Sequence, residues 1–446
     1  FVYNGSETFA KGNRFGFFPS IAAGWIVSEE EFMRPVQNYI NKLKLRASYG
    51  LAGNDRFYND DGSQKRFAYI TTIGTTDGYK WGNSNAFYDK GGLREGDPGV
   101  ESLTWETVKK ANVGIELGLF KMAELQVDFF HERREDIFMQ RKNIPSSAGF
   151  PSAPWANYGI VTNKGFDISL DLNKQINKDW FISARASVTY AKNKIIEQDE
   201  DLGVLGTYRS STGKPVGQIF GLVNDGLYTE ADFEDVTTGK LKPGLPVPKF
   251  SDRVYPGDIK YVDFNGDGEI TETDKTAIGG TVNPELVYGF GINLSYKNID
   301  FGAFFQGNGR TYRIIGENQK NFLPGSTIGA EGNIFTNASD AWTVDNPSQD
   351  VFYPRLHMGY NANNAQVSDW WLKDMSMLRL KNVELGYSFS KNLIKKAAME
   401  YARIFVRGTN LLQFSKFDLW DPELNTSNGL KYPIMATYSI GLQVRF

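Results

Sequence analysis

The sequence contains no cysteine and only two histidines among its 446 residues. Without cysteine, neither a disulfide framework nor a metal site with thiolate ligands can form. A hydrolase built on a nucleophile and a histidine would have to use His131 or His357, and no recognisable catalytic motif surrounds either of them. We therefore predict that the protein is not an enzyme.

The sequence also lacks an excess of one charge and a long apolar run. Its 49 Lys and Arg residues nearly balance its 52 Asp and Glu residues, which argues against a general nucleic-acid binder. No apolar run approaches the roughly 18 residues of a membrane-spanning helix. Aromatic residues, by contrast, make up 14% of the chain, and there are 46 glycines. Glycine and aromatic residues spread over many short runs are typical of β-rich proteins.

Alternation of apolar and polar residues is the dominant pattern, and it predicts β-strands because successive side chains of a strand point to opposite faces. The alternation is clearest in Gly165–Asn173, Trp180–Tyr190, Leu286–Tyr296 and Tyr438–Phe446. Weaker copies lie at Phe15–Val27, Leu43–Ala52, Val108–Leu119, Ala123–Arg133, Ile299–Gly307, Ser376–Phe389 and Tyr401–Leu411. The apolar register slips by one residue at Lys381 and Asn382, which predicts a β-bulge. A short helix is predicted at Leu393–Glu400.

The connections between these segments alternate between long and short. The long ones are 53–106, 134–164, 192–284, 308–375 and 412–434, and the short ones are 28–42, 119–122, 174–179, 296–299 and 390–400. Transmembrane barrels have this arrangement, with short periplasmic turns and long extracellular loops. Aromatic residues also stand at the ends of the apolar rows, as in interfacial girdles: Trp25, Tyr49, Trp180, Tyr190, Tyr296, Phe389, Tyr438 and Phe446. These patterns favour an antiparallel transmembrane β-barrel over a soluble β-sandwich.

A barrel of this kind turns its apolar rows to lipid and its polar rows to the lumen. We therefore expect one set of side chains to point outward: Ile182, Ala184, Val188, Ile292, Leu294, Ile440 and Leu442. A second set should point to the lumen: Asp171, Arg185, Asn293, Gln443 and Arg445. A register error of one residue would move the charges of a strand into hydrocarbon together.

The long loops are rich in tryptophan. Exposed indole rings can stack on sugar rings or on peptide side chains, so six of them are candidate substrate contacts: Trp81, Trp155, Trp342, Trp370, Trp371 and Trp420. The alternative is that each ring packs between loops or against a partner protein.

The sharpest local motif runs from Asp263 to Asp274, inside the loop 192–284. It fits a twelve-residue calcium loop, D-x-[DN]-x-[DN]-G-x5-E, except that the last position is aspartate. The expected oxygen ligands are Asp263, Asn265, Asp267, the carbonyl group of Glu269, and Asp274. Ile270 would anchor the loop to a small core. The shorter Asp274 predicts modest affinity, and a turn that binds no metal is the alternative.

Several segments, in the same order along the chain, resemble the SusC/RagA family of TonB-dependent outer-membrane transporters. They are Asn13–Ser20 running into Gly24-Trp25, Leu43–Gly50 with Gly53-Asn54, Asp258–Asp263 leading into Asn265–Gly268, Leu378–Val383, and Val406–Leu411. Phe446, which closes an alternating strand, resembles the C-terminal recognition signal for barrel assembly.

The resemblance implies a 22-stranded barrel with an N-terminal plug domain and a segment that meets TonB. Counted by alternation, this chain supplies about twelve strands, so residues 1–446 are expected to form the C-terminal half of the barrel. Because Phe1-Val2-Tyr3 has the pattern of a strand interior, the plug and the N-terminal half are expected to be missing from this sequence.

The family further implies the location, the cargo and the partners. The location is the outer membrane of a Gram-negative, Bacteroidota-type bacterium, and the cargo is an oligosaccharide (glycan) or a peptide. The implied partners are a SusD-like surface lipoprotein, TonB and the N-terminal half of the transporter. A passive porin or a surface adhesin barrel is the alternative function.

Overall fold

The computed structural model describes residues 1–58, 62–83, 86–150, 153–316, 323–325, 336–395 and 398–446. Within them the largest element is an antiparallel sheet of eleven strands in which each strand lies beside the next one along the chain. The strands are β1 Ser20–Ile26, β2 Ile40–Asn54, β3 Glu106–Leu119, β4 Ala123–Gln140, β5 Trp155–Gln175, β6 Trp180–Glu197, β7 Leu286–Tyr296, β8 Ile299–Gly309, β9 Met377–Ser388, β10 Tyr401–Ser415 and β11 Thr437–Arg445. The prediction of an all-β fold built on antiparallel strands is confirmed.

Shorter strands pair within the long connections or near the N-terminus. The antiparallel pairs are Val2–Gly5 with Phe15–Phe18, Phe57–Tyr58 with Gln64–Lys65, Ile73–Asn83 with Ala86–Glu95, Gln218–Gly221 with Thr276–Thr281, Asn224–Leu227 with Ile259–Tyr261, Phe233–Asp235 with Lys240–Leu241, and Tyr312–Ile314 with Leu372–Asp374. Val247–Pro248 and Glu269–Ile270 pair in parallel.

Within the described residues, helical structure is limited to short segments of three to six residues. One α-helical turn, α1, spans Lys391–Ile394, two residues ahead of the predicted start of the helix at Leu393. The 3-10 turns are Val27–Glu29, Glu31–Val36, Ser146–Ala148, Glu230–Asp232, Glu272–Asp274, Thr336–Ser339 and Pro422–Leu424. Among the described residues, none of these helices has the length and apolar character needed to cross a membrane.

The observed strands extend further into the long connections than alternation predicted. β4 reaches Gln140 and β5 begins at Trp155, so the connection predicted as 134–164 shrinks to 141–154. Likewise β6 continues to Glu197, and the excursion predicted as 192–284 becomes 198–285. Ladder hydrogen bonds continue where side chains no longer alternate, because they need only the backbone.

The bulge predicted at Lys381 and Asn382 is confirmed. In the pairing of β8 with β9, Phe304 lies opposite Asn382 while Phe305 lies opposite Leu380, so Lys381 is the extra residue. The pairing of β9 with β10 shifts at the same place. An extra residue changes the phase of the strand, and Leu380 and Val383 therefore keep their side chains on one face.

The chain divides into two compact units. The first comprises Phe1–Leu170 with Thr189–Val216, and the second comprises Asp171–Val188 with Gly217–Phe446. The second unit has a loop core, defined here as the buried cluster Leu222, Leu227, Ile259, Tyr261, Ile270, Ile278, Ile314, Ile315, Ala341, Trp342, Tyr353, Trp371, Met375 and Phe417. These residues come from three long connections, which therefore fold together as a packed body.

Gly165 is a position of close approach in the first unit. A Cβ atom there would overlap the backbone carbonyl oxygen of Tyr190 and lie 2.7 Å from the ring of Phe130. We expect Gly165→Ala to lower the free energy of unfolding by about 1–3 kcal/mol, the usual cost of overpacking. Gly203→Ala is the matched control, because a Cβ atom at Gly203 meets nothing within 4 Å. Equal unfolding midpoints for the two variants in denaturant titrations would contradict this expectation.

Candidate functional site

The sheet of the second unit has one apolar face. The strand pairings place Leu294 opposite Phe301, Phe301 opposite Leu385, Leu385 opposite Val406, and Val406 opposite Ile440. These five residues form a continuous apolar row across β7 to β11. Leu385, Val406 and Ile440 are 55%, 53% and 73% exposed, so the row lies on the surface of the unit.

The opposite face of these strands is polar and charged. The neighbouring row runs Asn293, Gly302, Glu384, Arg407 and Ser439. Arg407 and Arg403 each lie 2.6 Å from Glu384. Arg403 also donates from Nε to Asp300 over 3.0 Å. The charges on this face are therefore compensated by one another.

A groove of about 860 Å³ lies on this polar face. Its lining includes Asp171, Arg185, Asn293, Glu384 and Arg407, and also Ala184, Leu294 and Phe301 from the alternating positions of the same strands. Arg185 Nε lies 2.5 Å from Asp171, and Asn293 donates to Ser183 over 3.3 Å. The structure therefore brings together three of the residues predicted to face the lumen.

The strand pairings assign the remaining predicted residues of β11 to faces. Ile440 and Leu442 lie opposite Val406 and Ile404, on the apolar face. Gln443 and Arg445 alternate with them and share the polar face with Arg403 and Arg407. The separation into two faces thus follows the predicted register. That lipid covers the apolar face stays a prediction.

The first unit repeats this two-faced construction. Its apolar row is Trp25, Leu45, Ile115 and Val127. On the other face Arg46 lies 2.5 Å from Asp128, across Gly114, where a Cβ atom would meet both side chains. Because Gly114 has no side chain, the ion pair between Arg46 of β2 and Asp128 of β4 can cross over β3, which lies between them.

Neither histidine lies in a recognisable catalytic arrangement in the described structure. His131 lies opposite Ala111, on the apolar face of the first unit. His357 Nε2 lies 2.5 Å from Asp258, a carboxylate with 0% exposure. Asn364 also donates to Asp258, over 2.8 Å. Sequence reasoning missed this buried tether between two long loops, although the run Asn361-Ala362-Asn363-Asn364 is an unusual concentration of amides.

Four of the six candidate tryptophans belong to the loop core or its edge. Trp342 and Trp371 are 6% and 3% exposed. Trp370 donates from Nε1 to the carbonyl of Phe352 over 3.1 Å, and Trp420 is partly buried against the same core. For Trp342 and Trp371 the burial supports packing between loops, the alternative to substrate contact.

The other two tryptophans lie in the first unit. Trp155 stacks on Phe138 with 4.6 Å between ring centroids and 7° between planes, and Lys65 Nζ lies 5.0 Å from its ring. Both neighbours are fixed by the fold, so the Trp155 ring is part of an aromatic stack. Trp81 lies in Ile73–Asn83, and its side chain falls outside the described part of the structure.

The predicted calcium loop is closed by its own backbone amides. Asp263 accepts from the amides of Gly266 and Gly268 over 2.7 and 2.8 Å. Asp267 accepts from Glu269 over 2.8 Å. Burial alone would raise the pKa of Asp263, but these backbone donors outweigh it and hold the pKa below its usual range.

Asp274 closes the loop from its far end. It has 0% exposure, and its two oxygens accept from Phe264 and Thr271 over 3.0 and 2.8 Å. Across the described residues, no group of three or more His, Cys, Asp or Glu side chains is arranged to hold a metal ion. The oxygen donors suit a hard cation, but Asp274 is engaged as a backbone cap. Ile270, with 0% exposure, anchors the loop as predicted, but to the large loop core.

An acidic clasp, consisting of Asp199 and Glu200 with their donors, closes the end of β6. Asp199 accepts from Arg141 Nε over 2.7 Å and from Asn143 Nδ2 over 2.8 Å. Glu200 accepts from the hydroxyl groups of Ser210 and Ser211 over 2.5 and 2.7 Å. Burial by itself would raise the pKa of both carboxyl groups, but these hydrogen bonds lower each pKa to about 2.

No protein-family model matches the chain. Over 99% of its length, however, it is 31% identical to the TonB-dependent receptor P26 of Formosa agariphila, of which it covers 44%. It is 25% identical, over its whole length, to the TonB-dependent receptor SusC of Bacteroides thetaiotaomicron, of which it covers 41%. The chain thus spans less than half the length of the curated relatives it matches.

The fold is also found in a solved structure. The RagAB peptide importer in its open-open state superposes with a TM-score of 0.73 over 99% of this chain and 44% of that chain, at 24% identity. The long antiparallel sheet with one apolar and one polar face therefore has the fold of part of that importer. Over its whole length, the chain thus resembles part of the TonB-dependent receptors, SusC among them.

Proposed function

We propose that this chain forms part of the barrel wall of a TonB-dependent importer in the outer membrane of a Bacteroidota-type bacterium. The observation that carries the proposal is the two-faced sheet: an exposed apolar row on one side, and compensated charges around a groove of about 860 Å³ on the other. Such a sheet is stable between lipid and a wet lumen. A passive porin would share the sheet but would not need energy from TonB.

The proposed cargo is an oligosaccharide or a peptide, delivered with a SusD-like surface lipoprotein. The support is the relation to SusC and to the RagAB peptide importer, together with the packed body formed by the long loops. The N-terminal half of the transporter supplies the neighbours for the outer strands β1 and β11, because unpaired strand edges cannot face hydrocarbon.

Energised uptake tests this function. The complete transporter, expressed with its lipoprotein partner, should accumulate the material that co-purifies with it, as identified by mass spectrometry. Uptake should stop when the proton gradient is collapsed or TonB is deleted. Uptake that continues unchanged under both conditions would favour the passive porin.

Native mass spectrometry tests the proposed assembly. The chain should be detected in a complex with its N-terminal half and the lipoprotein, at a mass larger than its own 50.1 kDa. A monodisperse species of that mass alone, extracted from native outer membranes, would contradict the assembly.

We also propose that the loop from Asp263 to Asp274 binds calcium weakly. Dissociation constants of about 10⁻⁴–10⁻³ M are typical of extracellular modules, and affinity at this end of the scale is expected because Asp274 must leave its amide donors to reach a cation. Calcium at millimolar concentration should then slow proteolysis of residues 198–285 in the full complex. Asp267→Ala should abolish this protection, whereas Asp252→Ala, an exposed carboxylate outside the loop, should preserve it. If calcium left the rate of proteolysis unchanged in every variant, the loop would be a turn that binds no metal.

A further inference from the structure

The last long loop of the second unit folds back onto the sheet. Its residues 416–431, called the strap here, follow β10. Phe417, near the start of the strap, is 6% exposed and belongs to the loop core. Asp421 then begins the 3-10 turn Pro422–Leu424 and accepts from the amide of Glu423 over 3.0 Å. The turn therefore holds two carboxylates side by side.

Both carboxylates of this turn meet Arg379 of β9. Arg379 Nη2 lies 2.6 and 2.5 Å from the two oxygens of Asp421. Its Nε lies 2.9 Å from Glu423 Oε2, which is also 3.3 Å from Lys381 Nζ. The Arg379 side chain is only 3% exposed, and its two acidic partners are 14% and 22% exposed. The strap is thus fastened by a largely buried ion cluster.

Arg379 lies on the polar face of the sheet. In the strand pairings it stands opposite Gln306 on one side and Gln413 on the other. After the bulge, Asn382 and Glu384 continue the same face towards the short turn at the end of β9, and both line the groove. The strap is therefore attached to the polar face on the long-loop side of the groove.

A second attachment holds the far part of the strap. The amide of Gly316 donates to the carbonyl of Ser427 over 2.7 Å, and Arg313 contacts the side chain of Asn425. Trp420, which directly precedes the first attachment, packs against the loop core. The strap is thus held at several points between Phe417 and Ser427.

We infer that the strap limits the size of solute that reaches the polar-face groove from the long-loop side, and that Arg379 is the residue that positions it. The inference rests on the proposed import function, because the solute would be the imported cargo. The contacts that hold the strap do not depend on that function. Removing either partner of a buried ion pair leaves a charge without compensation. Loss of the acidic side chains should therefore release the strap from Arg379. Arg379 is thereby a specificity-determining residue that acts through the strap.

Size-graded labelling of the complete transporter tests the inference. These 446 residues contain no cysteine, so Ser295→Cys, in the lining of the groove, introduces one reporter thiol into them, and the complete transporter without this substitution gives the labelling background. The variant Asp421→Asn with Glu423→Gln unfastens the strap and leaves the strand residue Arg379 in place. The matched control is Asp418→Asn, an exposed strap carboxylate. Small maleimides should label all three backgrounds alike, whereas bulky polyethylene-glycol maleimides should label the unfastened variant several-fold faster.

Hydrogen exchange supplies an independent measurement. Amides of residues 416–431 should exchange faster in the unfastened variant, and those of β9 should be unchanged. Equal labelling by bulky maleimides in the unfastened variant and the Asp418→Asn control would overturn the inference, whatever uptake shows. Faster labelling in a transporter that shows no energised uptake would support the strap and refute the proposed import function.

Discussion

Leu294→Arg should destabilise the complete transporter in lipid vesicles by about 2–4 kcal/mol, the cost of a charge on the lipid face near the bilayer centre. Leu294 is part of the apolar row that runs to Phe301, Leu385, Val406 and Ile440. An arginine in this row finds no compensating charge and has to draw water or head groups towards itself.

The neighbouring residue provides the matched control. Asn293→Arg places the same side chain on the polar face, in the groove that Asp171 and Glu384 also line. Its cost in chemical unfolding experiments should be close to zero. If Asn293→Arg destabilised the protein as much as Leu294→Arg, the assignment of the two faces would be wrong for β7.

Asp199→Ala should lower the free energy of unfolding by about 1–3 kcal/mol, the usual cost of leaving buried hydrogen-bond donors without their acceptor. The Asp199 side chain is 4% exposed and lies 2.7 Å from Arg141 Nε. The substitution leaves this guanidinium and the amide of Lys142 without their acceptor. Asp201→Ala, an exposed carboxylate two residues further on, should have little effect.

The acidic clasp also predicts a dependence on pH. Because the pKa of Asp199 and of Glu200 is lowered to about 2 in the folded chain, their contribution is present above the ordinary carboxylate pKa near 4. It is lost as pH falls through about 2. Amides of 198–213 should therefore keep their protection from hydrogen exchange at pH 4 and lose it near pH 2. Loss of protection already between pH 5 and 4 would refute the hydrogen-bonded arrangement of the clasp.

The sheet could be predicted from the sequence because one physical cause determines it at every strand. A strand with one apolar and one polar face must alternate, so the pattern marks the strand, its faces and even the bulge at Lys381. The count of about twelve strands is close to the eleven observed. The ends of the strands were less predictable, as β4 and β5 show. Backbone hydrogen bonds between these strands continue beyond the residues whose side chains alternate.

The loops could not be predicted in the same way. The contacts of Arg379 with Asp421, and of Asp258 with His357, join residues 42 and 99 positions apart. No periodicity marks such pairs, because each depends on how several long connections fold over one another. The same holds for Trp342 and Trp371. The sequence alone does not distinguish a tryptophan that packs in a core from one that binds a substrate.

The mutual pairing of charges on the polar face bears on how a solute would travel along it. Asp300, Arg403, Glu384 and Arg407 already form contacts with one another. A passing molecule would have to break such a contact before it could form its own, so the net gain from stopping there is small. In the proposed importer such a wall would hold cargo weakly, and recognition of cargo would fall to other parts of the transporter. A surface of this kind favours rapid passage over retention.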